Sequence, residues 1–300
     1  MHRFWGNQSR MHVEKHPMKV VSTVKALREE LAAARAQGLS IGLVPTMGAL
    51  HAGHASLVDR SVRENDVTVV SVFLNPTQFN DPSDLQRYPR TLEADCALLE
   101  EHGATLVFAP TVEEVYPEPD TRVFSYPPTD SVMEGAFRPG HFNGVCQIVS
   151  KLFSFTEPTR AYFGEKDFQQ IAVIRRMVED LKFHLEIVAC PVIREESGLA
   201  MSSRNTLLTS EERDIAAHIY KVLASSVSFA SAGHTVKETH DYVCTSINAV
   251  EGLEVQYYNI VDGTSLADVD SWRDSEDIVG CITVFCGHTP IRLIDHIRYK

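Results

Sequence analysis

Residues 41–54 read IGLVPTMGALHAGH, a strand pattern that runs directly into a helix pattern. The apolar run at 41–45 is typical of a strand buried on both faces of a parallel sheet. Residues 46–50 form a turn that contains Gly48, and residues 52–64 are predicted to be helical. Strand, tight turn and helix in this order are typical of a βαβ unit, so this stretch predicts an α/β fold.

The same alternation of strands and helices extends on both sides of this stretch. Residues 67–74 are the clearest further strand, because they are dense in β-branched side chains. Such alternation implies a doubly wound parallel sheet of Rossmann-like type, which we place in residues 18–192. The other predicted helices are 22–37, 91–102, 141–155 and 167–181, and the other predicted strands are 105–109, 159–163 and 184–190.

The pattern changes at residue 193, from which we predict a smaller α+β C-terminal domain, residues 193–300. Its predicted helices are 209–231 and 235–250, and its predicted strands are 253–261, 279–286 and 290–295. Residues 1–17 lack the apolar region of a signal peptide, so we interpret them as an N-terminal extension.

Composition narrows the classes of function. The 300 residues carry a formal net charge of −12, which argues against a nucleic-acid partner because phosphate backbones demand clustered Lys and Arg. A nucleotide substrate is still compatible, since ATP needs a few local cations and Mg²⁺ can offset its charge. No apolar run approaches a membrane span. The six cysteines form no C-x-x-C pair, which predicts reduced thiols and a cytoplasmic location.

His51 and His54 form the first candidate site, at the turn from strand to helix. A helix N-terminus offers free N–H groups and the positive end of a dipole, which suit a phosphate. The spacing lets both imidazoles point the same way, and Gly53 lets a nucleotide approach the backbone closely. A zinc site and simple coincidence are the alternatives, although no third ligand motif accompanies the pair. G-x-G-x-x-G and Walker A sequences are absent.

Two further clusters follow predicted strands. Asn75 and Gln78 lie just after the strand at 67–74, where amides can bind a small polar substrate, although Asn-Pro is also common in plain turns. Lys166 lies at the start of a predicted helix, where a mobile cation can contact phosphate. Asp167 beside it is predicted to cap that helix.

Two loops complete the set of candidates. Residues 201–205 read MSSRN, and hydroxyls with an arginine can close over a triphosphate. Residues 134–142 read EGAFRPGHF, where Arg138 can contact an anion. Each loop alone is also compatible with an ordinary surface loop.

Together these blocks resemble the pantoate–β-alanine ligase family (pantothenate synthetases) over residues 18–297. The shared blocks, in order, are VPTMGALHxGH, VSVFLNPTQF, YPRT, EGAFRPGHFNGV, YFGEKDFQQ, MSSRN and IRLID. The family belongs to the HIGH-type nucleotidyltransferase superfamily, which class I aminoacyl-tRNA synthetases share. The resemblance implies an AMP-forming carbon–nitrogen ligase: ATP and pantoate give pantoyl-adenylate and pyrophosphate, and β-alanine then gives pantothenate, a coenzyme A precursor, and AMP. It also implies Mg²⁺ with ATP and a homodimer formed through the N-terminal domain.

The resemblance also implies a role for each matching residue. The implied catalytic residues are His51, His54, Lys166, Ser202 and Arg204. The implied ATP contacts are Met47, His51, His54, Gly164, Glu165, Lys166, Asp167, Met201, Ser202, Ser203 and Arg204. The implied pantoate contacts are Gln78 and Gln170, with Asn75 nearby and Arg138 at the mouth of the site.

The sequence departs from the family pattern at two positions. Ala52 stands where the family usually has Glu, and we expect it to point away from ATP. Ala94 and Asp95 stand where two adjacent acids are common, which leaves Asp95 alone as a candidate metal contact. Two alternatives remain open: another adenylating nucleotidyltransferase, and a non-catalytic protein that binds metal through H-x-x-H.

Overall fold

The structure, a computed structural model, describes residues 17–80 and 82–300, with the backbone alone over 82–84. The predicted extension, residues 1–17, lies outside this part except for Pro17. The described elements are, in order, β1 (Lys19–Val21), α1 (Val24–Ala36), β2 (Ile41–Thr46), α2 (Ala52–Glu64), β3 (Val67–Val72), α3 (Pro82–Arg87), α4 (Leu92–Glu101), β4 (Leu106–Phe108), α5 (Val112–Val115), α6 (Glu134–Phe137), α7 (His141–Thr156), β5 (Arg160–Gly164), α8 (Phe168–Asp180), β6 (Glu186–Cys190), α9 (Ser210–Ser231), α10 (Val236–Asn248), β7 (Leu253–Asp262), β8 (Ile278–Cys286) and β9 (Ile291–Arg298). Short 3₁₀ helices cover Pro76–Gln78, Glu165–Asp167 and Ser203–Leu207.

The N-terminal domain is built on a parallel six-stranded sheet of order β1-β4-β3-β2-β5-β6. Because the strands are pleated, alternate side chains point to opposite faces of the sheet and pack into the two cores on those faces. Leu43 packs with α1, α7 and α8 on one face, and Val44 packs with α2 and α4 on the other. The predicted doubly wound α/β fold is confirmed.

The strand order places the expected site. Strand β2 has β3 on one side and β5 on the other, so the order of the sheet reverses between β2 and β5. In open α/β sheets, ligands bind at such a switch point, beyond the carboxyl ends of the strands. The turn after β2 leads to His51, and the 3₁₀ helix Glu165–Asp167 follows β5. The motif with His51 and the motif with Lys166 therefore both start at the point where the strand order reverses.

The C-terminal domain is an antiparallel sheet of order β7-β8-β9, covered by α9 and α10. Both helices begin with a capping box, Thr209 with Glu212 and Thr235 with Glu238. In each box a threonine hydroxyl and a glutamate satisfy N–H groups that the first turn leaves unpaired. The predicted α+β domain is confirmed.

The sequence patterns missed several short elements. Strand β1 is only three residues long and largely exposed, and it pairs with β4 at the edge of the sheet. Helices α3, α5 and α6 are one or two turns long, too short for an amphipathic period. Predicted boundaries elsewhere differ by up to three residues, and β9 runs to Arg298 instead of 295.

An apolar cluster joins the two domains. Met133 and Ala172 of the N-terminal domain pack with Val261, Leu266 and Cys281 of the C-terminal domain. This contact fixes one domain against the other and leaves a cleft beside it. Within residues 17–80 and 82–300, no helix has the length and apolar character to cross a membrane.

Candidate active site

His51 and His54 form the cap of α2 with their own side chains. The Nδ1 atom of His51 accepts a hydrogen bond from Gly53 N at 3.1 Å, and Nδ1 of His54 accepts one from His51 N at 3.3 Å. The two ring centroids are 4.1 Å apart. Because each Nδ1 acts as an acceptor, the proton of each neutral ring is on Nε2. The cap thus presents two imidazole N–H donors at a helix N-terminus.

Gly53 is required by the position of the His51 ring. A Cβ atom at Gly53 would lie 2.8 Å from Cε1 and 2.9 Å from Nδ1 of His51. The expected need for a close nucleotide approach is therefore not the first reason for this glycine. Ala52 is exposed, in agreement with the expectation that it points away from the site.

Both histidines are held in the neutral form. Burial lowers the pKa of His51 to about 4, with a further lowering by the charge of Lys166, while Asp167 opposes the shift. Burial likewise lowers the pKa of His54 to about 3, assisted by His51 and Lys166. At neutral pH the site without substrate holds uncharged donors beside a cation, an arrangement that favours an incoming anion.

Asp95 supports the turn that precedes His51. Its carboxylate, only 2% exposed, accepts hydrogen bonds from Ala49 N at 3.0 Å and Leu50 N at 2.8 Å. The Thr91 hydroxyl donates a third bond at 3.1 Å. These contacts occupy both carboxylate oxygens, and they argue against the metal contact predicted for Asp95. In the described residues, no group of three or more His, Cys, Asp and Glu side chains is placed to hold a metal ion.

Lys166 and Asp167 lie on the 3₁₀ helix between β5 and α8. The Lys166 Nζ atom lies 3.2 Å from Asp167 Oδ2. Asp167 occupies the position before α8, but its side chain accepts no hydrogen bond from the helix backbone. The prediction that the Asp167 side chain caps α8 is therefore wrong, because the carboxylate pairs with Lys166 instead.

The loop that carries residues 201–204 approaches from the other domain. Ser202 Oγ accepts a hydrogen bond from Arg204 N at 3.3 Å, which orders the loop. Ser203 Oγ lies 3.2 Å from the hydroxyl of Tyr88, a buried residue of the N-terminal domain. Tyr88 lies in the YPRT block, for which no site residue was predicted from the sequence.

Asn75 orients Gln78. The Asn75 Nδ2 atom donates to Gln78 Oε1 at 3.0 Å and to the carbonyl of Gly144 at 3.1 Å, and Tyr116 OH donates to Asn75 Oδ1 at 2.8 Å. The amide of Gln78 donates to Met47 Sδ at 3.2 Å. The predicted amide pair is therefore one hydrogen-bonded unit, in which Asn75 supports Gln78.

Replacement of Gly144 by alanine is expected to disturb this unit. A Cβ atom there would lie 2.3 Å from the carbonyl oxygen of Thr77 and 2.6 Å from Gln78 N. Both neighbouring groups are backbone atoms, which cannot move aside as a flexible side chain could. We therefore expect the free energy of unfolding to fall by about 1–3 kcal/mol. Urea denaturation measures the loss. Gly164→Ala is the control, since a Cβ there meets nothing within 4 Å. Equal stability of the two variants would contradict the close packing.

His141 connects Arg138 to Gln78, a role that was not predicted from the sequence. Its Nδ1 lies 2.9 Å from the carbonyl oxygen of Gln78 and must donate, so Nε2 accepts from Arg138 Nη1 at 3.3 Å. Burial, and then the charge of Arg138, lower the pKa of His141 to about 4. Its place in the EGAFRPGHF block was the signal that could have identified it.

Acidification is expected to destabilise the protein without substrate. The pKa values of His54 and His141 are lowered in the folded chain, to about 3 and about 4. Between pH 6.5 and these values the unfolded chain binds more protons, so stability is highest above pH 6.5 and falls as pH drops. Each buried ring contributes up to about 2 kcal/mol between pH 7 and 5.

Urea midpoints at pH 7 and 5 test this expectation. The variant His141→Gln, whose amide can replace both hydrogen bonds, should lose less stability over the same interval. An identical loss in the variant and the parent protein would contradict the assignment of His141.

These residues surround two adjoining cavities. The inner cavity, ≈ 210 Å³, lies at the sheet edge, and the outer one, ≈ 340 Å³, lies between the domains. The inner cavity is lined by Met47, Asn75, Gln78, Gly164, Gln170 and Met201 along with His51 and His54. Lys166, Asp167, Arg138 and Arg204 line both cavities, and Ser202 and Ser203 line the outer one. Glu165 and Asp95 line neither cavity.

The structure thus brings together groups from distant parts of the sequence. Two imidazole donors, Lys166 and Arg204 face a common space at the switch point of the sheet. Cations and pre-oriented N–H donors are the groups that stabilise charge at a transferring phosphoryl group. The fold and site define a nucleotidyl-transferring enzyme of the α/β class.

Comparisons with known proteins agree with this class. The family model described as Pantoate-beta-alanine ligase matches residues 19–298. The pantothenate synthetase of Bacteroides fragilis strain YCH46 is 65% identical over 283 residues, which are 94% of this chain and 99% of that protein. The pantothenate synthetase of Porphyromonas gingivalis strain W83 is 58% identical, over 94% of this chain and 100% of that protein.

Solved structures are similar as well. The pantothenate synthetase of Thermus thermophilus is 44% identical with a TM-score of 0.87, and the match covers 94% of this chain and 99% of that one. The ligase of Francisella tularensis, solved with β-γ ATP and β-alanine, is 34% identical with a TM-score of 0.80, over 94% and 98% of the chains. The chain belongs to the pantoate–β-alanine ligase family, which confirms the resemblance in the sequence, and it is an ATP-dependent ligase.

Proposed function

We propose that the chain joins pantoate to β-alanine through a pantoyl-adenylate, with both half-reactions in the paired cavities. The observation that carries the proposal is the convergence of His51, His54, Lys166 and Arg204 on one space. Family membership supports the substrates, and the ATP and β-alanine in the Francisella structure support the ligands.

In the first half-reaction, a carboxylate oxygen of pantoate attacks the α-phosphorus of ATP. An O–P bond forms, the bond to the β-phosphate oxygen breaks, and pyrophosphate leaves. The carboxylate is itself the nucleophile, so the protein contributes positioning and charge neutralisation. His51 and His54 donate from Nε2 to phosphate oxygens, while Lys166 and Arg204 neutralise the triphosphate.

The nucleotide is proposed to span both cavities. Met47, Gly164, Asp167 and Met201 line the inner cavity, and Ser202 and Ser203 add hydroxyl donors in the outer one. Glu165 lines neither cavity, so the proposed nucleotide site does not include it.

Pantoate is proposed to lie against Gln78 and Gln170, which line the inner cavity. Amides donate and accept at once, so they suit a substrate with hydroxyls and a carboxylate. Asn75 holds Gln78 in place, and Arg138 stands where the inner cavity opens into the outer one.

In the second half-reaction, the amine of β-alanine attacks the acyl carbon of the adenylate. A C–N bond forms, the C–O bond to AMP breaks, and the amine loses a proton. We propose that β-alanine enters from the outer cavity and that Arg138 attracts its carboxylate.

Mg²⁺ is proposed to arrive with ATP. The described residues offer no ready cage of three ligands, and Asp95 is engaged with backbone N–H groups. Mg²⁺ commonly keeps several waters and binds through substrate phosphates.

We further propose a homodimer formed through the N-terminal domain. Val123 is 84% exposed and Leu181 is 39% exposed, and both border one shallow depression. Exposed apolar groups that share a surface favour association. Sedimentation equilibrium should give a dimer that Val123→Asp weakens, and a monomeric parent protein would refute the proposal.

The domain division at residues 18–192 and 193–300 is proposed from one contact and from the end of one strand. Arg194, just after the boundary, binds Asp295 of the C-terminal sheet, whereas β6 ends at Cys190 in the N-terminal sheet. The six free cysteines support a reducing compartment, and we propose the cytoplasm.

AMP release tests the proposed function. Formation of AMP should require ATP, pantoate and β-alanine together, and pyrophosphate should appear with ATP and pantoate alone. Omission of either organic substrate is the control. AMP formed with neither would point to a different adenylating reaction, and stoichiometric zinc in dialysed protein would favour a metal-binding role.

A further inference from the structure

Glu134 is a buried carboxylate that joins the two domains. It opens α6 in the N-terminal domain and is 7% exposed. It accepts hydrogen bonds from Arg292 Nη1 at 2.7 Å and Nη2 at 2.5 Å. Tyr257 OH donates at 2.8 Å and Thr283 Oγ1 at 3.0 Å. These donors lie on β9, β7 and β8, so we call the four residues the interdomain clasp.

The N-terminal side of the clasp is held rigidly. Glu134 N donates to Gln169 Oε1 at 3.0 Å, and Gln169 Nε2 donates to the carbonyls of Thr129 and Val132, each at 2.8 Å. Gln169 is 5% exposed and lies in the first turn of α8, three residues after Lys166. The carboxylate is therefore fixed relative to the proposed phosphate site.

The C-terminal side of the clasp is connected to the loop of residues 201–204. Arg292 and Asp295 lie on the same strand, β9. Asp295 binds Arg194 in a bidentate pair at 2.6 and 2.9 Å. Arg194 in turn pairs with Ala200 in an isolated antiparallel bridge, directly before the loop. A displacement of β9 would therefore move the loop.

We propose that Glu134 is a positioning residue for adenylation. By holding Arg292, it fixes the C-terminal domain so that Ser202 and Arg204 face Lys166 across the outer cavity. The inference rests on the proposed function, because it requires the triphosphate to lie between Lys166 and the loop.

The electrostatics of the clasp support this role. Burial opposes the charge on Glu134, but hydrogen bonds and the charge of Arg292, with Tyr257 and Arg138, outweigh it and lower the pKa of Glu134 to about 2. Glu134 therefore stays ionised at neutral pH. With a neutral substitute, the Arg292 guanidinium, whose side chain is 22% exposed, would keep only uncharged partners such as Gln256 and would lose the carboxylate that holds it in place.

The variant Glu134→Gln separates positioning from mere stability. We expect pantoate-dependent exchange of pyrophosphate into ATP to slow roughly 100-fold, the scale of a small misplacement of catalytic groups. Aminolysis of isolated pantoyl-adenylate at saturating β-alanine should change by less than about threefold, because no triphosphate is involved. The KM for β-alanine is measured separately, since Glu134 also lies 3.6 Å from Arg138, the residue proposed to attract the carboxylate of β-alanine. The KM for pantoate should also be nearly unchanged, since Gln78 and Gln170 belong to the N-terminal domain.

Three further single variants and one double variant define the comparison. Glu64→Gln is the matched control, because Glu64 also accepts from an arginine, Arg60, and a tyrosine, Tyr162, but within one domain. Exchange should be normal in that variant. Arg292→Met should reproduce the defect, and the double variant should be no slower than either single one. Thr283→Val, nearly isosteric, should give a smaller defect in the same half-reaction and carries the test if Glu134→Gln does not fold.

The possible outcomes are distinct. An equal decline of both half-reactions with a lowered Tm would show a purely structural role and overturn the inference. Normal exchange in Glu134→Gln or in Arg292→Met would overturn it as well. Absence of exchange in the parent protein would instead overturn the proposed function.

Discussion

Replacement of Lys166 by alanine is expected to slow adenylation by about 2–4 kcal/mol, or roughly 30- to 1000-fold. Lys166 lines both cavities, and its Nζ atom lies 3.2 Å from Asp167 Oδ2. Its charge is available where negative charge moves from the α-phosphate to pyrophosphate. Removal of one such contact from a site that excludes water raises the activation free energy by this amount, because no solvent molecule is pre-oriented to replace the lost charge. Pantoate-dependent pyrophosphate release under saturating ATP measures the effect.

Lys151→Ala is the matched control for this variant. The Lys151 side chain is 22% exposed, against 19% for Lys166, and it too pairs with an aspartate, Asp120. It lies on α7 and lines neither cavity. The control should release pyrophosphate at the parent rate. Near-normal release by Lys166→Ala would remove Lys166 from the mechanism.

His54→Ala is expected to slow the first half-reaction by roughly 100- to 1000-fold. The variant removes an Nε2 donor and also one half of the α2 cap, which holds His51 in place. Aminolysis of preformed adenylate should be affected less, because pyrophosphate is absent from this step and no negative charge moves onto it. Rapid-quench measurement of each half-reaction separates the two effects.

Two variants complete this comparison. In His54→Gln the amide oxygen can still accept from His51 N and the amide NH₂ can still donate, so this variant should preserve α2 and retain more of the rate than His54→Ala. His102→Ala removes a histidine that contacts Asp59 on the surface and should have no effect on rate. If His54→Gln and His54→Ala both retain the parent rate, the imidazole has no role in adenylation.

The fold was predictable because its signals are local and periodic. The runs at β2 and β3, with the helices that follow, identify a parallel α/β sheet without knowledge of tertiary contacts. Strand β1 was not predictable, since three largely exposed residues carry no period and exist as a strand only by pairing with β4.

The site was predictable where the chemistry lies within one motif. His51, His54, Lys166 and the loop of residues 201–204 are each local signals, and the switch point explains why they meet. Asp167 shows the limit of such reasoning, since a capping position does not ensure a capping bond when a lysine is adjacent.

The contacts between the domains were not accessible from the sequence. Glu134 and Arg292 are 158 residues apart, and nothing in the local sequence around either residue predicts its contact with the other. The hydrogen bond from Asn75, which supports Gln78, to the carbonyl of Gly144 likewise depends on the close approach of α7. Only the three-dimensional packing reveals that approach.

The arrangement of the two imidazoles has a chemical consequence for the amine substrate. A neutral imidazole has one lone pair available for protonation, and in His51 and His54 the peptide N–H groups of the helix cap already occupy it. Neither ring can therefore serve as a base without dismantling the start of α2. The ammonium group of β-alanine must therefore lose its proton to solvent or to a group other than these two rings, or arrive as the free amine, so aminolysis should accelerate as the medium becomes alkaline.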